Sequence, residues 1–241
     1  MAAEPILVVD DTPVNLKLIR IVLANEGYQV LTAASAEEGL EILKQYRPSL
    51  ILADIQLPGM DGLAFTRQVK ENQATRDIAV VALTAFAMKA DEQRALDAGC
   101  DGYITKPIDT RTLGELVRNY LNRRRDAPGA PPATTPPGGR ATPAIGAEEL
   151  HALRGRFLHE GRERLHQLLV DLDGAFDVAA AGRDVHQWVG TGGLLGYHAI
   201  SRLSRDVEAI LMEKPLDNSL LRETLSKLAS AFTHPQEEMG A

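Results

Sequence analysis

The sequence predicts an α/β unit, a doubly wound sheet of five parallel strands, followed by an all-α four-helix bundle. Three observations carry that prediction. From Ile6 to about Asn122 short apolar runs alternate with helical periodicity, the order that a parallel sheet with crossover helices requires. Residues 126–146 hold six of the chain's thirteen prolines, mixed with Gly, Ala and Thr. Such a segment buries too little to build a core and reads as an extended, partly stiff linker. From Ala147 to about His234 only helical periodicity remains. The expected domains are therefore residues 4–123, a linker at 124–146, and a bundle at 147–234.

Taken in order, Ile6-Leu7-Val8-Val9 is a buried strand. Val14, Leu18, Ile21 and Val22 then recur on one helical face, and Gly27 ends that helix. Tyr28 to Ala33 is the second strand. Ser35 with Glu38 forms a capping box for a helix whose inner face holds Leu40 and Leu43. Ser49 to Ala53 is the third strand, an apolar run that ends at Asp54 between Pro48 and Pro58-Gly59. A third helix presents Leu63, Phe65 and Val69. Ile78 to Leu83 is strand four, residues 88–98 a helix stopped by Gly99, and Gly102-Tyr103-Ile104 strand five. The last helix starts near Asp109 and carries Leu113, Leu116, Val117 and Leu121. Five strands alternating with five helices give a flavodoxin-like doubly wound fold.

Past the linker, Leu150, Leu153, Phe157, Leu165, Leu168, Leu169 and Leu172 form one long apolar stripe. Val178 to Leu195 is a second helix, with Gly182 at its entry. Ile200, Leu203, Val207, Ile210 and Leu211 mark a third, stopped by Pro215, and Leu216 to Phe232 a fourth. Four antiparallel helices with short loops make a bundle.

Charge narrows the function. Residues 1–122 carry 12 Lys/Arg against 17 Asp/Glu, residues 123–145 carry 4 against 1, and residues 146–241 carry 10 against 15. Both folded parts are acidic, which argues against direct nucleic-acid binding. The basic run Arg123-Arg124-Arg125 suits a helix C-terminus. Cys100 is the lone cysteine, so there is no intrachain disulfide and no cysteine metal cluster. The first residues lack a basic leader pattern, and the apolar runs are too short to span a bilayer. The expectation is a cytoplasmic protein without membrane insertion.

Chemistry gathers at the strand ends. Strand one runs into Asp10-Asp11, strand three into Asp54, strand four into Thr84 and strand five towards Lys106. In a parallel sheet these ends share one edge. Three carboxylates brought together repel unless a cation sits among them, and oxygen ligands with open positions suit Mg²⁺. Lys106 adds a point charge and Thr84 a hydroxyl. Such a set would bind metal and phosphoryl oxygens while Asp54 attacks phosphorus. Any one of these acids, Asp11 for instance, would also serve as a helix N-cap. The full set at successive strands is what points to a site.

Asp10-Asp11, Asp54 followed by Leu57-Pro58-Gly59-Met60-Asp61-Gly62, Ala82-Leu83-Thr84-Ala85 and Lys106-Pro107 resemble the receiver domain of two-component response regulators, over about residues 4–123. The resemblance implies that Asp54 accepts a phosphoryl group from a phosphohistidine. It further implies that Asp10, Asp11, Asp54 and the backbone carbonyl of Gln56 surround Mg²⁺, and that Thr84 and Lys106 contact the phosphoryl group. Tyr103 matches the family's switch aromatic, and the Lys106–Pro107 bond is cis in many relatives. The pattern is most similar to hybrid-kinase and single-receiver types. Receivers also often pair through the strand-four to helix-five face, so a homodimer is among the expectations.

The second half carries His186-Gln187-Trp188-Val189-Gly190 and then Thr191-Gly192-Gly193-Leu194-Leu195-Gly196. Glycine costs roughly 1 kcal/mol inside a helix, so this run is a loop or a helix face kept bare for a purpose. Gly190, one turn from His186, would leave the imidazole open to another protein's active site. The run is similar to the His-x-Leu-Lys-Gly motif of histidine phosphotransfer (HPt) domains, over about residues 148–233. By that resemblance His186 is the phosphorylated histidine, and the docked receiver supplies Mg²⁺. Val189 stands where that family has lysine, and Trp188 where it has leucine. His151, His159, His166, His198 and His234 fit no such motif, and His159 and His166 read as solvated.

The expected function is phosphorelay signalling, with a sensor histidine kinase, other receivers or other HPt proteins as partners. The protein would be a phosphotransfer protein rather than an enzyme acting on a separate substrate. An alternative is a receiver-switched binding or dimerisation module whose bundle only docks. A haloacid-dehalogenase-type hydrolase is disfavoured, since its Asp-x-Asp nucleophile motif is missing after strand one.

Overall fold

A computed structural model describes residues 4–85, 89–125, 147–174 and 176–235. The chain forms two compact units, an α/β unit and a helical one. The expected linker lies outside the described residues, apart from Arg124 and Arg125.

The first unit runs β1 (Pro5–Val9), α1 (Pro13–Asn25), β2 (Gln29–Ala33), α2 (Ala36–Gln45), β3 (Leu50–Asp54), α3 (Gly62–Glu71), β4 (Ala79–Thr84), α4 (Lys89–Asp97), β5 (Gly102–Thr105) and α5 (Leu113–Arg125). The sheet is all-parallel in the order β2-β1-β3-β4-β5. The three inner strands β1, β3 and β4 are wholly buried, and β2 and β5 at the edges are less so. This is why the inner strands read as unbroken apolar runs. Leu7, Val9, Ile51, Ala53, Val80 and Ala82 face Phe65 and Val69 of α3 and Ala95 of α4. The opposite face of the sheet carries α1 and α5, which touch each other.

Local chemistry sets the helix ends. Pro13 occupies the first turn of α1 and Gly27 follows its end at φ +87°, a conformation that glycine adopts without strain. Ser35 Oγ accepts from Glu38 N as the capping box predicts, while the Glu38 carboxylate accepts from Ala34 N, one residue earlier than the reciprocal bond expected. Helix α5 continues to Arg125, two residues past the expected boundary.

The second unit has four helices: α6 (Ala147–Asp171), α7 (Val178–Leu194), α8 (His198–Met212) and α9 (Asn218–Thr233). Its core holds Leu165, Leu168, Val185, Val189, Val207, Leu221, Leu225 and Leu228 around an aromatic cluster. Phe232 lies 5.2 Å from Phe157 and 5.3 Å, edge-on, from Trp188. Trp188 is thus a core residue. A Cβ at Gly161 would overlap the Phe232 ring, so that glycine makes room for the cluster.

Two expectations change here. Asp177, not Gly182, marks the entry of α7: its carboxylate accepts from Ala180 N, and Gly182 lies inside the helix. The glycine-rich run is helical through Gly193, ending at Gly196 with φ +88°. A Cβ on Gly192 would sit 2.7 Å from Ser201 Oγ of α8. The bare surface of α7 is therefore spent on close helix packing.

Candidate functional site

Parallel register brings the strand ends together. Val9 pairs with Ala53, Asp54 with Leu83, and Thr84 with Thr105. Asp10, Asp54, Thr84 and Lys106 therefore meet at one sheet edge, all buried, with Asp11 half-exposed beside them. Lys106 Nζ donates to Asp54 Oδ2 at 2.5 Å and lies 3.7 Å from Asp10 Oδ2. Asp54 Oδ1 accepts from Gln56 N at 3.1 Å. The peptide bond after Lys106 is cis, and Lys106 N donates to Thr84 O at 2.6 Å, which ties the β5 end to the β4 end.

Gly62 holds the floor of the site. Its N–H donates to Ile55 O, and a Cβ there would overlap the carbonyl oxygen of Asp54. The first turn of α3 thus packs on the backbone that presents Asp54. Asp61 caps that helix through Ala64 N at 2.7 Å.

One contributor was not singled out from sequence. Asn15 Nδ2 donates to both carboxylate oxygens of Asp10, at 3.1 and 3.2 Å, and is itself buried. Its signal was available: a polar residue one position from the predicted apolar stripe of α1, five residues after Asp10. Thr12 N completes the anchoring of Asp10 at 2.9 Å.

The charges are unequal in their comfort. Burial disfavours the Lys106 ammonium, yet Asp54 and Asp10 outweigh that and raise its pKa above the ordinary lysine range. Burial, with the Asp54 charge adding, lifts Asp10 above the usual carboxylate range despite Lys106, Thr12 and Asn15. Among the described residues Lys106 is the ammonium set against the three acids. One oxygen from each of Asp10, Asp11 and Asp54 lies within 4.8 Å of the others. Three carboxylate oxygens are the hard donors that Mg²⁺ takes, and Asp10, Asp11 and Asp54 would hold such an ion once drawn closer together.

Tyr103 on β5 is half-buried and packs against the core. Its carbonyl accepts from Tyr120 Oη at 3.3 Å.

In the bundle, His186 sits on α7 facing α8. Its Nδ1 lies 2.9 Å from Glu208 Oε1, and both residues are buried, at 8% and 3% exposure. The open imidazole anticipated from Gly190 is not found: Gly190 is itself buried. Glu208, 22 residues downstream, carried no recognisable signal in the sequence. A carboxylate only accepts hydrogen bonds. In the neutral imidazole Glu208 therefore places the ring proton on Nδ1 and leaves the lone pair on Nε2. Val189 is fully buried and presents nothing at the surface. His151, His159, His166 and His234 are exposed.

Comparison with known proteins converges on the same two units. The response regulator receiver domain family matches residues 6–118 and the Hpt domain family residues 152–233. The polar-differentiation response regulator DivK of Brucella ovis is 40% identical over 118 residues, 49% of this chain and 96% of DivK; that of Brucella suis gives the same values. Among solved structures, the receiver domain of a Syntrophus aciditrophicus signal transduction histidine kinase is 32% identical (TM-score 0.49, 54% of this chain and 98% of that one). The receiver domain of a Pseudomonas aeruginosa sensor histidine kinase, with a magnesium ion coordinated in its active-site cleft, is 31% identical (TM-score 0.47, 50% and 99%). The chain belongs to the response regulator receiver family and joins its receiver to an Hpt domain, the architecture of a phosphorelay signalling protein.

Proposed function

We propose that Asp54 takes a phosphoryl group from a phosphohistidine, with Mg²⁺ held by Asp10, Asp11, Asp54 and the Gln56 carbonyl, and that His186 is a second phosphoryl carrier which exchanges the group with Asp54, in the same chain or through separate partners. The observation that carries this reading is the buried Asp54 carboxylate bonded to Lys106 beside Asp10. Asp54 attacks phosphorus, a P–O bond forms, the P–N bond breaks, and the donor imidazole leaves with the electron pair. When bound, Mg²⁺ would supply charge neutralisation for the phosphoryl oxygens. Lys106, already beside Asp54, meets the phosphoryl oxygens as they arrive, and the Thr84 hydroxyl donates to one of them. Tyr103 turns inward as Thr84 moves.

At the other site Glu208 sets the tautomer, so that Nε2 is the attacking atom. Since His186 is buried, its ring swings towards solvent during exchange. The family match across residues 152–233 favours this over a bundle that only docks. The protein's catalysis is confined to its own phosphorylation and dephosphorylation. Its partners are a sensor histidine kinase, other receivers or other Hpt proteins, and a homodimer through the receiver is a further expectation. Its site of action in this reading is the cytoplasm; no described helix is long and apolar enough to cross a membrane.

The test is chemical. The protein is incubated with Mg²⁺ and a phosphorylated kinase or small phosphodonor, and acid-stable and base-stable label are followed in Asp54→Asn and His186→Gln. Loss of the acid-stable acyl phosphate in Asp54→Asn and of base-stable label in His186→Gln supports both assignments. Base-stable label that never appears would remove His186 from the relay. Full acyl-phosphate labelling of Asp54→Asn would remove Asp54.

A further inference from the structure

We infer that Arg183 is the cation that holds the phosphoryl oxygens at His186, the task that the Hpt resemblance gives to a lysine at position 189. The inference rests on His186 being a phosphoryl carrier. Arg183 is the sole Lys or Arg in α7. Val189 is fully buried and uncharged, so the usual position supplies no positive charge. The need for one is greater here than in a site without a carboxylate, because Glu208 already places a negative group on the other ring nitrogen.

Position favours Arg183 over the other arginines. It precedes His186 by three residues, which puts their Cβ atoms about 5–6 Å apart on the helix surface. At about 100° per residue, Arg183 and Gln187 lie on one side of His186, and Val185 and Val189 on the other. Arg183 and Gln187 are exposed, and both valines are fully buried. Nε2 is buried as the ring stands; once the ring turns outward, Arg183 and Gln187 are the exposed side chains beside it. Among the described residues Arg183 makes no hydrogen bond or ion pair; its electrostatic reach extends to Asp177, the cap of the same helix. By contrast Arg164 is bound to Asp184 at 2.6 Å, and Arg205, one turn before Glu208, is half-buried rather than exposed.

The chemistry suits a guanidinium. Nε2 attacks the phosphorus of an aspartyl phosphate on a receiver. A P–N bond forms, the P–O bond breaks, and the aspartate leaves as carboxylate. The proton stays on Nδ1, so the ring becomes a phosphoimidazolium, and no proton moves in the step. The transferred group keeps its negative oxygens throughout, and the planar fork of arginine binds two of them at once.

The experiment is single-turnover labelling of the full chain at saturating donor, with Arg183→Ala and Arg183→Lys beside the unaltered protein and His186→Gln. Because Arg183 is exposed, thermal melts of both variants should match the unaltered chain. The expected result is at least about a tenfold slower appearance of base-stable label in Arg183→Ala, partial recovery in Arg183→Lys, and a shallower dependence of rate on salt in Arg183→Ala. Equal rates in Arg183→Ala and the unaltered chain, or Arg183→Lys as slow as Arg183→Ala, overturn the inference while leaving His186 in place. Absence of base-stable label in the unaltered chain overturns the role of His186 and this inference with it.

Discussion

Replacing Asp10 by asparagine should stabilise the metal-free receiver while abolishing its response to Mg²⁺. Asp10 is fully buried. Its attraction to Lys106 at 3.7 Å is worth about 4.5 kcal/mol at an effective dielectric constant near 20. Repulsion from Asp54, with oxygens within 4.8 Å, returns about 3.5 kcal/mol of that. The pair terms nearly cancel, and desolvation of the carboxylate is left, offset in part by Thr12 and Asn15. Asparagine keeps an acceptor for both donors, so the net gain is about 1–3 kcal/mol, or roughly 3–10 °C in melting temperature for a unit of this size. The sign with pH follows from the raised pKa of Asp10. Its contribution to stability is fully present below the unfolded value of 3.8 and is lost as pH rises through the folded value. The advantage of asparagine should therefore be largest at neutral pH and fade towards pH 3.8. Calorimetry in chelator and in excess Mg²⁺ reads both effects. At a hundredfold excess over Kd the metal should add about 2.7 kcal/mol to the unaltered protein and far less to the variant. Asp10→Asn no more stable than the unaltered chain in chelator, or an equal Mg²⁺ shift in both, would refute the reasoning.

Other outcomes follow from neighbouring contacts. Lys106→Met strands the Asp54 and Asp10 carboxylates and should cost about 3–5 kcal/mol without metal, read by urea titration, with part of the loss recovered by Mg²⁺. Gly62→Ala, which forces a Cβ into the Asp54 carbonyl, should cost about 1–3 kcal/mol and depress phosphorylation. Gly182→Ala, with open space around the new Cβ in α7, should gain about 0.5–1 kcal/mol; equal effects at the two glycines would contradict the packing described. ¹⁵N spectra of the His186 imidazole should show the proton on Nδ1, and Glu208→Leu should let the second tautomer appear.

The legibility of the two units differs for physical reasons. In the receiver, Asp10, Asp54, Thr84 and Lys106 are placed by strand ends. Strands are short apolar runs that the eye can find, and parallel topology then fixes which ends meet. Asn15 had only a weak signal, a polar residue beside the apolar stripe of α1, which by itself reads as solvent-facing; the return of α1 over β1 is what turns it to Asp10. In the bundle the helices were legible from periodicity, but their rotation was not. Gly190 beside His186 permits either an open imidazole or a close helix contact; it is buried, and further along the same run Gly192 meets Ser201 of α8. Glu208 was hidden for the same reason. Its partner lies on another helix, and nothing local marks a glutamate as buried.

The claim at the centre is that Asp54 and His186 exchange a phosphoryl group. The direct measurement uses two half-blocked chains. His186→Gln is phosphorylated at Asp54, freed of donor and mixed with Asp54→Asn. Base-stable phosphohistidine should appear in the Asp54→Asn chain as the acyl phosphate of the first decays, and a mixture lacking His186 in both chains should yield only inorganic phosphate. If label leaves Asp54 solely as inorganic phosphate while His186 stays unmodified, the two sites do not form a relay.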